Sequence, residues 1–322
     1  MLVVRASRGM LLVALALGLM ALVAASAQVT ITPRPKKPEP KEEGQRTPNI
    51  RVESRLVLIP VTVNDPLNRP VSGLEKENFR VYDDKVEQTI TQFAMDDEPI
   101  AAGLVFDTSG SMGEKLKRSR MAAAVFFKIS DPEDEFFLVE FDSQPRLVVP
   151  LTRDFGRIEE ELTFSRSKGS TALLDAIYLA LQEMRKSRKN KKTLLLITDG
   201  GDNNSRYSVT EVKKLIQESD VLIYAIGVFG GGNSPEEAGG PELLGHIAES
   251  TGGRMFVAAS ADMPDIAKRI GIELRNRYIL AFAPTSQAHD GKYHHIQVKV
   301  VPPRGLPPLQ AHWRTGYTAP DQ

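Results

Sequence analysis

Two segments of this sequence end apolar runs with side chains that carry oxygen and nothing softer. Asp107-Thr108-Ser109-Gly110-Ser111 follows the run Ile100 to Phe106, and Thr198-Asp199-Gly200 follows Thr193 to Ile197. A third segment, Lys168-Gly169-Ser170-Thr171, precedes an amphipathic stretch. If the runs are parallel strands, ligands gather beyond their carboxyl ends. Asp107, Ser109, Ser111, Thr171 and Asp199 then converge at one sheet edge. Two carboxylates and three hydroxyls are hard donors that suit Mg2+, and less well Mn2+ or Ca2+, rather than zinc or copper. They leave a dication under-neutralised and short of its octahedral shell. A Glu or Asp carboxylate from a partner protein would complete that shell, so the chemistry favours capture of an acidic side chain over activation of a bond. The alternative is a metal-dependent phosphatase or phosphoryl transferase with Asp107 as nucleophile.

The elements that must position these residues are readable from periodicity. Ile100 to Phe106, Phe136 to Phe141, Leu194 to Ile197, Val221 to Val228 and Met255 to Val257 are short and apolar, as strands buried on both faces should be. Between them, Thr171 to Lys186 sets Leu173, Ile177, Leu181 and Met184 at helical spacing; Glu211 to Glu218, Pro241 to Ser250 and Pro264 to Asn276 are likewise helical. Alternating strand and helix predicts an α/β fold over residues 98–277, a doubly wound and mostly parallel sheet. The flanks, residues 50–97 and 278–318, carry period-two patterns instead, as in Arg55 to Val63, Phe79 to Tyr82 and Ile296 to Val300. A sheet of so few strands is poorly stable alone, so the two flanks are predicted to pair into one small β-sandwich with the middle inserted.

Composition narrows the functions available. Forty-one Lys and Arg balance 41 Asp and Glu over 322 residues, leaving no field of one sign to hold nucleic acid or an anionic bilayer. The absence of cysteine excludes disulfides and thiolate metal sites. Residues 1–27 run from Arg5 and Arg8 through the apolar Met10 to Ala25 into Ala25-Ser26-Ala27, the order of a signal peptide. Residues 28–49 are proline-rich and charged, a tether rather than a core. The expectation is an extracytoplasmic protein, periplasmic or secreted, touching a membrane only through an uncleaved signal anchor if at all.

The sequence Asp107-Thr108-Ser109-Gly110-Ser111 at the end of one strand, with Thr171 in a later loop and Thr198-Asp199-Gly200 at the end of another, resembles a von Willebrand factor A domain. The five oxygen-bearing residues match its metal-ion-dependent adhesion site without departure. The flanking Val71-Ser72-Gly73-Leu74, Asn78-Phe79, Asp83-Asp84, Tyr278, Asp290-Gly291 and Arg314-Thr315-Gly316-Tyr317 resemble bacterial proteins related to this family that are common in Acidobacteria. The resemblance implies a Rossmann-like fold in which Ser109, Ser111 and Thr171 ligate magnesium, Asp107 and Asp199 act directly or through water, and the last helix of the domain moves with occupancy. It also implies a non-enzymatic binding module. Phosphatases of the haloacid dehalogenase type want a second acid where this chain has Ser109.

Several features have plainer explanations. Ser170 or Thr171 can serve as a helix N-cap. Asp202-Asn203-Asn204 reads as a turn, or as outer contacts of the site. Gly230-Gly231-Gly232-Asn233 reads as a loop, since no Gly-Lys-Ser/Thr follows. His294 and His295, adjacent on a strand, face opposite sides and cannot chelate one ion together. Trp313 reads as core or rim of the β module, and Lys186 to Lys192 as a solvated connection.

Overall fold

The computed structural model describes residues 56–229, 235–258, 262–284 and 291–319. The signal and tether segments, Gly230 to Asn233 and Asp290 lie outside the described residues.

The first flank forms β1 (Val57–Asn64), β2 (Phe79–Asp83), β3 (Val86–Gln88) and β4 (Ile90–Asp96). The middle then runs β5 (Ile100–Asp107), α1 (Leu116–Lys128), β6 (Glu135–Phe141), β7 (Pro145–Thr152), α2 (Gly156–Phe164), α3 (Leu173–Met184), β8 (Lys191–Thr198), α4 (Val209–Gln217), β9 (Val221–Gly227), α5 (Pro235–Ser250), β10 (Met255–Val257) and α6 (Met263–Arg275). The second flank closes with β11 (Arg277–Phe282), β12 (Tyr293–Val300), β13 (Gln310–Trp313) and β14 (Gly316–Thr318).

The central sheet has six strands in the order β10-β9-β8-β5-β6-β7, all parallel except β7. Every residue of β5 and β9 is buried, which is why these strands read as unbroken apolar runs. One face packs Leu104, Phe106, Leu195 and Tyr224 against α1, α2 and α6. The other packs Val105, Phe137, Leu196 and Ile223 against α3, α4 and α5. Each such Leu, Val, Ile or Phe contributes roughly 1.5–3 kcal/mol by leaving water.

The flanks interleave as two four-stranded sheets, β13-β1-β11-β4 and β14-β12-β2-β3, each drawing on both ends of the described chain. Val61 pairs with Tyr278 and Val81 with Val298, and Ile59, Val61, Phe79, Val81, Tyr278 and Val298 fill the space between the sheets. The Tyr278 hydroxyl donates to Val71 O at 2.9 Å and accepts from Leu74 N at 3.1 Å, latching the Val71 to Leu74 segment.

The handovers between sandwich and central sheet are short. Asp97, Glu98 and Pro99 separate β4 from β5, and Asn276 alone separates α6 from β11. Buried charge pins the first handover: Asp96 receives Lys191 Nζ at 3.1 Å and Arg277 Nη2 at 2.9 Å, while Lys191 also donates to the Asp96 carbonyl. Lys191 therefore belongs to the interior, not to the solvated connection that the run Lys186 to Lys192 suggests; as the first residue of β8 it faces a junction that offers a carboxylate and two carbonyls. A second buried group lies beneath α6, where Glu273 accepts from Tyr224 Oη at 2.7 Å and Arg254 Nη1 at 3.1 Å. α5 also begins earlier than its proline suggests, carrying Pro241 inside the helix.

Asp96→Ala strands two buried cations and is expected to cost about 3–5 kcal/mol in urea denaturation. The second expectation concerns pH. Burial, and then the Arg254 charge, push the His312 imidazole down to about 4, against ~6.5 in an unfolded chain. The unfolded chain then takes up a proton that the folded one refuses, so this contribution is present above about pH 6.5 and is lost as pH falls toward 4. His312→Gln should flatten that part of the stability profile relative to wild type.

Candidate metal centre at the sheet edge

Asp107 ends β5 with no exposed surface, and both of its carboxylate oxygens are engaged. Oδ1 accepts the Ser109 backbone N–H at 2.8 Å, and Oδ2 accepts the Thr198 hydroxyl at 2.6 Å. Burial, with the neighbouring Asp199 charge adding to it, pushes Asp107 up to about 6 against the hydrogen bonds from Ser109 and Thr198. The chain then turns through a short 3-10 segment, Gly110–Lys115, that brings Ser109 Oγ and Ser111 Oγ to 3.0 Å from each other. Asp199, 2% exposed, follows β8, and Lys115 Nζ donates to its Oδ2 at 3.1 Å. The Lys115 ammonium thus meets Asp199, the neighbour whose charge acts on the buried Asp107 carboxylate. Hydroxyls stand beside them, and the donor set fits a hard dication.

Thr171 reaches this edge through its loop. Gly110 N donates to Gly169 O at 3.0 Å and Lys168 N to Thr108 O at 2.8 Å, stitching the Thr171 loop to the β5 turn. On its other side, Thr171 N donates to Asn203 Oδ1 at 2.9 Å, while Asn203 N and Asn204 N both donate to Thr171 O. Asn203 therefore bridges two site loops, the outer-contact alternative to a local turn. The expected capping by Ser170 or Thr171 does not occur: Ala172 is the N-cap of α3 and no side chain caps it. The backbone of both residues is engaged elsewhere, Ser170 N with Ser143 Oγ at 3.0 Å and Thr171 N with Asn203 Oδ1 at 2.9 Å.

Periodicity does not point to Lys115 or Thr198 as members of this group. Lys115 follows the Ser111 turn at a spacing that any surface lysine could share, and Thr198 carries the same hydroxyl as Thr193 of its own strand. The Asp199 loop is also fixed by backbone proximity. Gly200 has φ +83°, and a Cβ there would lie 2.9 Å from both Gly240 Cα and Phe229 Cε1. Only glycine on both sides lets α5 approach this closely. Gly200→Ala is expected to destabilise the fold by about 1–3 kcal/mol and to shift the Asp199 loop, readable as a lowered melting temperature with the secondary structure intact by circular dichroism.

Residues 104–201 match the von Willebrand factor type A domain. An uncharacterized protein of Borreliella burgdorferi is 27% identical over 205 residues, covering 53% of this chain and 58% of that protein. Inter-alpha-trypsin inhibitor heavy chain H4 of Bos taurus is 27% identical over 128 residues, 36% of this chain and 14% of that protein. The chain thus spans 58% and 14% of the lengths of these two relatives. A solved von Willebrand factor type A structure from Catenulispora acidiphila is similar at a TM-score of 0.50 and 14% identity, over 84% of this chain and 74% of that one. Residues 104–201, which span both site-bearing strands, are thus similar to a von Willebrand factor type A domain, and the parallel sheet with helices on both faces has the fold of such a domain.

Proposed function

We propose that this protein is a divalent-cation-dependent protein-binding module that captures an acidic side chain of a partner. The domain occupies residues 98–277, between the two parts of a β module at 50–97 and 278–318. In this reading Ser109, Ser111 and Thr171 would hold Mg2+, or Mn2+ or Ca2+ in its place, with Asp107 and Asp199 bound directly or through water. The ion would supply an electrophilic centre for a foreign Glu or Asp carboxylate. The observation that carries the reading is the buried pair Asp107 and Asp199 beside two hydroxyls 3.0 Å apart, with one lysine as countercharge. Two buried carboxylates beside one another repel, and a bound cation relieves that repulsion.

The same geometry weighs against phosphoryl transfer. Asp107 is fully buried and spends one oxygen on Ser109 N–H and the other on Thr198, so neither is directed outward for in-line attack. The module is accordingly read as non-enzymatic. Adhesion and envelope assembly are the roles that suit it, and the signal-peptide-like order of residues 1–27 supports a location outside the cytoplasm. Among the described residues no helix is long and apolar enough to cross a membrane.

Magnesium added to chelator-treated protein is expected to raise the melting temperature. Saturation at 100 times the dissociation constant contributes ~2.7 kcal/mol, or roughly 5–10 °C for a domain of this size. Asp107→Ala should abolish the rise, and a Mg2+-dependent, EDTA-reversible pull-down from the envelope of the source cell should yield the partner. Wild-type protein indifferent to magnesium, or turning over a phosphate ester through Asp107, would refute the reading.

A further inference from the structure

The β-sandwich holds a second group of donors, chemically unlike the first. Strand β2 buries Phe79, Val81 and Asp83, and β12 buries His294, Ile296 and Val298. Alternation therefore puts a carboxylate and an imidazole on the inward faces of these strands, where each of their other buried residues is apolar. Asp83 is 4% exposed and His294 is 8% exposed. Asp84 follows at the tip of the β2–β3 turn and is locked to β12 twice: its N–H donates to His295 O, and its Oδ1 accepts from His295 N, both at 2.9 Å. Its other oxygen, Oδ2, lies 2.9 Å from His294 Nδ1.

Asp83 carries the argument. Its Oδ2 accepts the Tyr317 hydroxyl at 3.0 Å, but among the described residues its buried Oδ1 has no hydrogen-bond partner. That oxygen lies 4.0 Å from His294 Nδ1, beyond hydrogen-bond reach. Protonated histidine does not resolve this, because the one proton on Nδ1 is directed at Asp84, at 2.9 Å. A buried carboxylate oxygen left unmatched is costly. Ligand atoms of Asp83, Asp84 and His294 all lie within 4.8 Å of one another, close enough to surround one ion.

We propose that Asp83, Asp84 and His294 form a divalent-cation site in the β-sandwich, one that takes zinc or a similar borderline transition ion in preference to magnesium. The imidazole sets the preference, since nitrogen donors suit Zn2+ while Mg2+ demands oxygen. Zinc bonds of about 2.0–2.2 Å to nitrogen and oxygen require Asp83 Oδ1 to close in from 4.0 Å on His294 Nδ1, and the 2.9 Å contact of Asp84 Oδ2 with His294 Nδ1 to open and give up its proton. The outer contacts that such sites use to orient ligands are already in place: Tyr317 on Asp83, His295 N–H on Asp84, and the Tyr317 ring stacked 5.3 Å from the His294 ring. Asp84, with its side chain 51% exposed, opens the group to solvent and gives the ion an entry route. The ion would staple the β2–β3 hairpin of the first flank to β12 of the second. It is independent of the sheet-edge centre, sharing none of its residues.

The test uses the full chain stripped with chelator, in an Asp107→Ala background that disables the sheet-edge centre. Calorimetry should find one equivalent of Zn2+ bound, and Co2+ in its place should develop visible absorption. Adding His294→Gln should abolish both, and Asp83→Asn should weaken Zn2+ at least tenfold. Asp84→Asn, at the exposed donor, covers the case in which the buried substitutions do not fold: a tenfold or greater loss of affinity supports the site, and unchanged affinity overturns it. No Zn2+ binding in the Asp107→Ala protein, or a Co2+ spectrum indifferent to His294→Gln, likewise overturns it.

Discussion

The structure is organised around a carboxylate that has been taken out of water at the end of a strand. Asp107 sits where β5 leaves the sheet, and its two oxygens draw the surroundings inward: Ser109 N–H from the following turn and the Thr198 hydroxyl from the neighbouring strand. Burying that charge is unfavourable, as its upward shift to about 6 indicates. The fold tolerates it because three loops are stitched together over the same edge. The Thr171 loop bonds to the β5 turn on one side and to the Asn203 loop on the other. Gly200 and Gly240 bring α5 against the Asp199 turn. An edge assembled this way is held by backbone, so the fold itself sets where its hydroxyls lie.

The central sheet and the sandwich meet through charge as well as apolar contact. Asp96 is shared by Lys191 and Arg277, and Glu273 by Tyr224 and Arg254. These groups lie on the side of the sheet where β5 and β8 begin, and the candidate centre lies where the same strands end. An eight-residue strand separates the two levels by roughly 23 Å. The sandwich supports the domain from beneath and leaves the oxygen-rich edge open.

Much of this was legible beforehand, for identifiable reasons. Asp107, Ser109, Ser111, Thr171 and Asp199 stand out because hard donors at strand ends are chemically distinctive. The sandwich was legible because period-two patterns at both flanks had to bury their apolar faces somewhere. Other features depend on contacts that no local pattern encodes. Lys191 looks solvated in a run of basic residues, and only the folded junction supplies the Asp96 carboxylate that draws it inside. Asn203 reads equally as a turn residue or an outer contact, and only the approach of a distant loop decides for the bridge. α5 begins before Pro241 because a helix accommodates a proline when its packing, here the Gly240 contact, holds the preceding turn in place. Strand alternation separates His294 from His295, but Asp83, which reads with Asp84 as a turn, closes β2, and its meeting with His294 depends on the register of β2 against β12.

The interleaved flanks also govern how the chain can be made. Leu74 and the tyrosine that latches it, Tyr278, are 204 residues apart. At ribosomal speeds of about 5–20 residues per second, the first-flank strands wait roughly 10–40 s for their partners. Throughout that interval β1 and β4 present unpaired edges and apolar faces, the features that invite aggregation. The α/β portion, whose elements are nearer neighbours in sequence, can condense first and bring the two ends together, turning a slow search for remote strands into a short local closure.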